Sequence, residues 1–221
     1  MKKLTLKLAA LTGGALLFSG CAATQATSGK PAELSGDNNT FVCNGLIIER
    51  NLLEENEYNL RYKLPGPMPE VKYITIHNTA NKAPASAERA YLNNRRDEVS
   101  ISFHFAVDEE QAVQIMPLNI HGWHAGDGSS GSGNRESIGI EICRSTLYDG
   151  DLYPRSEENA VKLAAYLLFI EDLPVEALRM HQDWSGKKCP HRIIETNRWQ
   201  EFKNRVQVSL EELKAAKNRQ K

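Results

Sequence analysis

The chain carries 221 residues, with 27 Lys and Arg against 28 Asp and Glu, for a formal net charge of -1. Hydrophobic residues at 41% and charged residues at 25% fit one folded domain with a real core rather than an unfolded chain. The near-neutral balance argues against a nucleic-acid partner, which asks for a basic patch.

Residues 1–20 read as an export signal. Lys2, Lys3 and Lys7 give a positive start, and Leu8 to Phe18 is an apolar run too short to span a bilayer. The run ends in Ser19-Gly20-Cys21, and small residues just before a Cys resemble the lipobox of bacterial lipoproteins. That resemblance implies lipid attachment at Cys21, a membrane anchor and a place in the cell envelope. Phe18 departs from the usual Leu, and an ordinary signal peptide cleaved nearby is the alternative. Loss of the three leader lysines takes the net charge from -1 to -4. Residues 21–40 hold the anchor Cys followed by small, polar residues, which predicts a flexible tether.

The domain is expected over residues 41–221, with its core at 70–195. Phe41 to Leu64 is mixed in character and reads as a segment wrapping the domain edge, anchored by Ile47 and Ile48. Pro65-Gly66-Pro67-Met68-Pro69 is a break. Val71 to Ile76 is β-branched and aromatic and predicts a strand, with Ile74 and Ile76 on one face and Thr75 and His77 on the other. Ala85 to Arg96 has helical spacing. Ile101 to Val107 and Ala112 to Met116 predict a hairpin, with Ile101, Phe103, Phe105 and Val107 facing opposite to Ser102 and His104. Pro117 to Gly133 is a loop long enough to need a use, and His121, Trp123 and His124 suggest the wall of a groove. Ser137 to Cys143 predicts a strand with Ile138, Ile140 and Ile142 on one face and Gly139, Glu141 and Cys143 on the other. Ser156 is read as the cap of a helix reaching about Asp172, and Leu173 to Arg179 as a lead-in to the next motif. A closing amphipathic helix is expected over 197–218. Strands alternating with helices, plus one hairpin, predict a single α/β domain with a central mixed sheet flanked by helices.

The chemistry concentrates between Met180 and Pro190. This stretch offers the imidazole of His181, the ammonium of Lys187 and the thiol of Cys189, and Gly186 lets the chain turn back so that His181 and Cys189 reach one ion. Thiolate and neutral imidazole are common zinc ligands, and His77 at the end of the first predicted strand supplies a third. Three ligands leave a fourth position open, as in catalytic rather than structural zinc sites. Glu141 is a carboxylate flanked by Ile in a central strand, which costs free energy unless it has a partner or a task. It is placed to serve as a general base, and zinc and Lys187 are expected to favour its ionised form. Lys187, two residues before Cys189, is expected to stabilise an oxyanion. The set adds up to metal-assisted amide hydrolysis. For Cys43 and Cys143 the sequence leaves both a bridge and two free thiols open. A Cys-dependent hydrolase built on Cys143 is a rival, weakened by the lack of an activating cation nearby.

The stretches ITIHNTA, SFHFAVDEEQAVQIMPLNIHGWHAGDG, GNRESIGIEIC and MHQDWSGKKCP are similar, in this order, to the zinc N-acetylmuramoyl-L-alanine amidases of the family that includes phage T7 lysozyme. The likeness is strongest to Bacillus-type cell-wall amidases and covers roughly residues 70–195. It implies that fold, Zn2+ held by His77, His181 and Cys189, and catalytic roles for Glu141 and Lys187. It also implies peptidoglycan or muropeptides as substrate, cut between the lactyl group of muramic acid and L-Ala. Asn78, His104, Trp123 and His124 fall within the motifs and are expected near the substrate, while His121 and His191 are read as hydrogen-bonded structural groups. Phe103 stands where some relatives place a catalytic Tyr, so the acid–base role falls on Glu141. A monomer is expected. The alternative is a non-catalytic peptidoglycan-binding protein on the same fold, against which Cys189, Lys187 and Glu141 argue.

Overall fold

Alternating Ile residues generate the central sheet, whose seven strands in the computed structural model are β1 (Thr40–Cys43), β2 (Leu46–Arg50), β3 (Tyr73–Asn78), β4 (Phe105–Val107), β5 (Gln111–Gln114), β6 (Ser137–Ile142) and β7 (Leu178–Met180). The α-helices are α1 (Glu57–Tyr62), α2 (Ala85–Asn94), α3 (Ser132–Arg135), α4 (Leu152–Ile170), α5 (His181–Ser185), α6 (His191–Glu195) and α7 (Trp199–Arg219). The structure describes residues 39–219, so the expected export signal, Cys21 and nearly all of the tether lie outside the described residues. The spatial order is β1-β2-β5-β4-β6-β3-β7. β1–β2 and β4–β5 pair antiparallel, while β2–β5, β4–β6, β6–β3 and β3–β7 pair parallel, which makes the expected mixed sheet.

One face is packed by the two long helices, α4 and α7. Ile74, Ile76, Phe105, Val107, Ile138, Ile140 and Ile142 are buried there with Leu163, Leu167, Phe202, Val206 and Leu210. Burying each such side chain is worth roughly 1.5–3 kcal/mol. The helices are tied by buried Glu157, which accepts from Arg198 Nη1 at 2.7 Å, Arg198 Nη2 at 2.9 Å and Arg205 Nη1 at 2.8 Å. On the other face α2 covers a smaller cluster of Leu53, Ala85, Leu92, Phe103, Ala106, Val113, Ile115, Met116 and Cys143. Among the described residues no helix is long and apolar enough to cross a membrane.

Several sequence expectations are corrected. Phe41 to Leu64 is more than an edge wrap: it forms the β1–β2 hairpin and the short helix α1, begun by Asn56, whose side chain accepts the Asn59 N–H. Ile48 anchors it, but Ile47 points outward and is 43% exposed. The hairpin strand over 101–107 starts only at Phe105. The N–H groups of both Ile115 and Met116 aim at the His104 carbonyl, two residues against one, as in a bulge. Phe103 therefore turns to the α2 side while Phe105 and Val107 stay in the main core. Helix α4 begins at Leu152, so Ser156 lies inside it and its hydroxyl donates to the Leu152 carbonyl rather than capping the end. Pro154 is tolerated because it sits in the first turn, where its missing N–H costs nothing. Cys143 is a buried free thiol, so it forms no bridge with Cys43. Strand β7 lies where the sequence predicts only a lead-in, because its three residues, Leu178–Met180, carry too little periodicity to register.

Candidate metal centre

Register brings the site together. In the β3–β6 ladder His77 stands opposite Glu141, so the two side chains share one face at the C-terminal ends of parallel strands. In the β3–β7 ladder Ile76 stands opposite Met180, which puts His181 beside His77. His181 opens the short helix α5, where Asp183 Oδ2 accepts the Met180 N–H at 2.8 Å. Trp184 docks α5 on the sheet: its Nε1 donates to Thr75 Oγ1 at 3.0 Å and its ring meets Tyr73 edge-on. Gly186 ends the helix at φ 76°, a left-handed conformation that favours glycine. The chain then doubles back, and the Gln182 N–H donates to the Cys189 carbonyl at 3.0 Å.

The result is a cluster in which one ligand atom each from His77, His181 and Cys189 lies within 4.8 Å of the others, all three residues being buried. His77 Nδ1 and His181 Nδ1 are 3.0 Å apart. The Asn78 N–H donates to Cys189 Sγ at 3.3 Å. Burial, then the neighbouring His124, His181 and Lys187, holds His77 well below the usual imidazole range. Burial and Lys187 hold His181 at about 4. Both rings are thus neutral, as ligands must be. Burial and the Glu141 charge push the Cys189 thiol up to about 12, against the pull of Asn78 N–H and Lys187. Alone it would stay protonated at neutral pH; a divalent cation makes such a thiol a thiolate. Two neutral imidazoles and one thiol with a backbone donor fit a borderline-soft metal ion.

Glu141 has its Oε2 buried without a hydrogen-bond partner among the described residues. In the metal-free protein burial is the first cause and the Glu88 carboxylate the second, raising its pKa to about 8, while Lys187 favours the ionised form as expected. Glu88 lies on α2 and is held by Asn81, a neighbour invisible to strand periodicity. Lys187 is exposed at the rim, its charge acting on His77, His181, Glu141 and Cys189. Cys143 is fully buried and is pushed well above the usual thiol range by burial and by nearby carboxylates, which argues against the Cys-dependent rival.

The long loop folds around Asn134 and Asp127. Asn134 Oδ1 accepts from the N–H groups of His124 and Ala125, both at 2.8 Å, and its Nδ2 donates to the Gly128 carbonyl. Asp127 accepts from the N–H groups of Gly133 and Asn134. Of the expected substrate contacts, Trp123 is half-buried on this loop, with its Nε1 unpartnered among the described residues. His124 is buried behind His77, 3.1 Å from its Nε2. His104 is fully buried: Nδ1 accepts the Gly139 N–H at 3.0 Å and Nε2 donates to the Ile120 carbonyl at 2.9 Å. Both of its nitrogens are taken, so the ring is an internal strut. Asn78 is likewise engaged, donating to Tyr153 Oη and accepting the Arg192 N–H. Sequence reasoning misses Trp184 and Glu88; the Trp in the His-Gln-Asp-Trp run is the only signal available for either.

A family profile described as N-acetylmuramoyl-L-alanine amidase matches residues 67–192. The chain is 44% identical over 174 residues to the N-acetylmuramoyl-L-alanine amidase CwlA of Bacillus subtilis, covering 79% of this chain and 62% of that protein. It is 45% identical over 163 residues to XlyB of the same organism, covering 74% of this chain and 50% of the relative. The chain therefore spans only about half to three-fifths of these relatives. Among solved structures, PlyL superposes with a TM-score of 0.66 at 43% identity, covering 72% of this chain and 96% of PlyL. The PlyG catalytic domain gives 0.67 at 42% identity, covering 74% of this chain and 94% of that domain.

Proposed function

The chain belongs to the N-acetylmuramoyl-L-alanine amidase family, and from that premise we propose that it is a zinc-dependent amidase acting on peptidoglycan or muropeptides. The bond cut in this reading is the amide between the lactyl group of muramic acid and L-Ala. The observation that carries it is the buried His77–His181–Cys189 cluster with Glu141 directly across the ladder from His77. Zinc held there supplies a Lewis acid that polarises the amide carbonyl and acidifies water. Glu141, whose orphaned Oε2 is buried, takes the proton of the attacking water and passes it to the leaving amine of L-Ala. Lys187 at the rim faces the oxyanion as it develops. Phe103, packed with Leu92 and Ile115, offers no hydroxyl to share the proton transfer. One chain supplies every group, so a monomer suffices.

The test is hydrolysis of purified cell wall, read as new L-Ala amino termini. Chelation should abolish it and added zinc restore it. Hydrolysis that survives complete metal removal would sink the reading. We also propose lipid anchoring through Cys21 from the Ser19-Gly20-Cys21 run. Cys21→Ala should then move the protein from the membrane fraction to the soluble exported one, and unchanged membrane association would count against the anchor.

A further inference from the structure

We infer that His124 is a positioning residue: it locks His77 in the tautomer whose Nδ1 lone pair faces the metal position. The inference rests on the zinc reading above, but its argument runs through hydrogen bonds between buried rings that burial keeps neutral. The Ser137 carbonyl can only accept, so His124 Nε2, 3.2 Å away, carries that ring's proton. A neutral imidazole has one N–H, so His124 Nδ1 is bare and accepts from His77 Nε2 at 3.1 Å. His77 Nδ1 is then bare in turn and points at His181 Nδ1. Metal-binding histidines commonly pass their second N–H to a carboxylate, a carbonyl or water, which fixes ring and tautomer. Here a second imidazole, itself fixed by a backbone carbonyl, does that work.

Two further features serve this arrangement. The His124 backbone is pinned, because Asn134 Oδ1 accepts its N–H at 2.8 Å. Strand β6 also leaves room for the ring. A Cβ added at Gly139 would come within 2.9 Å of His124 Cγ and Nδ1, so a glycine interrupts the Ile-rich strand where the imidazole lies on it. The His77 and His124 rings meet edge-on at 5.1 Å. The loop's use, on this inference, is to hold a zinc ligand from behind.

The experiment uses the full chain. Zinc affinity is measured by competition with a chromogenic chelator for wild type, His124→Leu and His124→Asn, and imidazole 15N shifts are recorded on the metal-free wild type. We expect His124→Leu to weaken zinc binding ~10–100-fold, the usual cost of losing such a partner. His124→Asn, whose side-chain oxygen can accept near the Nδ1 position, should recover most of that loss. His77 should carry its proton on Nε2. A folded His124→Leu that binds zinc as tightly as wild type overturns the inference. So does a His77 proton on Nδ1, a result that decides the matter even if His124→Leu fails to fold. Failure of the wild type to bind zinc would instead overturn the zinc reading, while the His77 tautomer would still decide whether the relay exists.

Discussion

The two faces of β3 and β6 show opposite ways of using one pair of strands. On the helix-covered face Ile74, Ile76, Ile138, Ile140 and Ile142 bury hydrocarbon against α4 and α7, and each is interchangeable with another group of similar size. On the opposite face, one residue away, Thr75, His77, Gly139 and Glu141 alternate with them. There three of the four positions have a specific partner, Trp184 for Thr75, His124 for His77 and the rings of His104 and His124 for Gly139, while Glu141 keeps a buried oxygen unpartnered among the described residues. The helix-covered face supplies stability through area. The site face uses that stability to hold groups that are costly to bury.

The comparison breaks most visibly at a ligand. Cys189→Ala should take zinc content from stoichiometric to none and cell-wall hydrolysis to background, with the helix-packed core intact by circular dichroism. If folded Cys189→Ala and His77→Ala both still hold stoichiometric zinc, the ligand set is wrong.

Glu141→Gln keeps the shape and removes the basicity, so kcat should fall ~10²–10⁴-fold with zinc retained. Near wild-type turnover in the zinc-loaded variant would make Glu141 structural. Lys187→Ala removes a charge that matters mainly when the oxyanion forms. A loss of ~10²–10³ in kcat is expected, with KM little changed, and steady-state kinetics showing a KM effect alone would refute that role.

Ile140→Ala, next to Glu141 but on the helix side, should cost ~2–5 kcal/mol in denaturant unfolding. Its kcat per folded molecule and its zinc affinity should match wild type; a large drop in either would mean that the faces are not separable.

The smallest effect sharpens the contrast through pH. In the metal-free protein Glu141 has its pKa raised to about 8 from an ordinary 4.5. Between those values the folded state holds a proton that the unfolded state has released, so stability falls as pH rises through that window. Glu141→Gln removes this penalty. The metal-free variant should match wild type near pH 4 and melt above it at pH 8–9, by roughly 2–4 °C for each kcal/mol relieved. Equal melting temperatures at both ends would show that Glu141 is not strained by burial.

Much of the helix-covered face is legible in the sequence. The Ile alternation in 71–76 and 137–143, and the spacing of Phe202, Val206 and Leu210, depend only on local periodicity. The first and last strands are not, because β1 has four residues and β7 three, too few for a period of two to register. The hairpin strand reads too long because apolar alternation continues through 101–104, while the His104 side chain and the bulge end the ladder there. The cluster of His77, His181 and Cys189 follows from residue types and from the turn at Gly186. The environments around it do not: Glu88 lies 53 positions from Glu141 in the numbering, and His124 lies 47 from His77.

By itself the sequence determined which residue types gather at the candidate site and which strand face His77 and Glu141 occupy, since donor type and alternation are properties of the chain one residue at a time. Only the tertiary structure decided how those groups are tuned. It turned His104 and Asn78 inward as struts, set His124 behind His77, and placed Glu88 where it raises Glu141. Hydrogen-bond partners, burial and local field all come from atoms that meet across distant segments, and no spacing along the chain encodes that meeting.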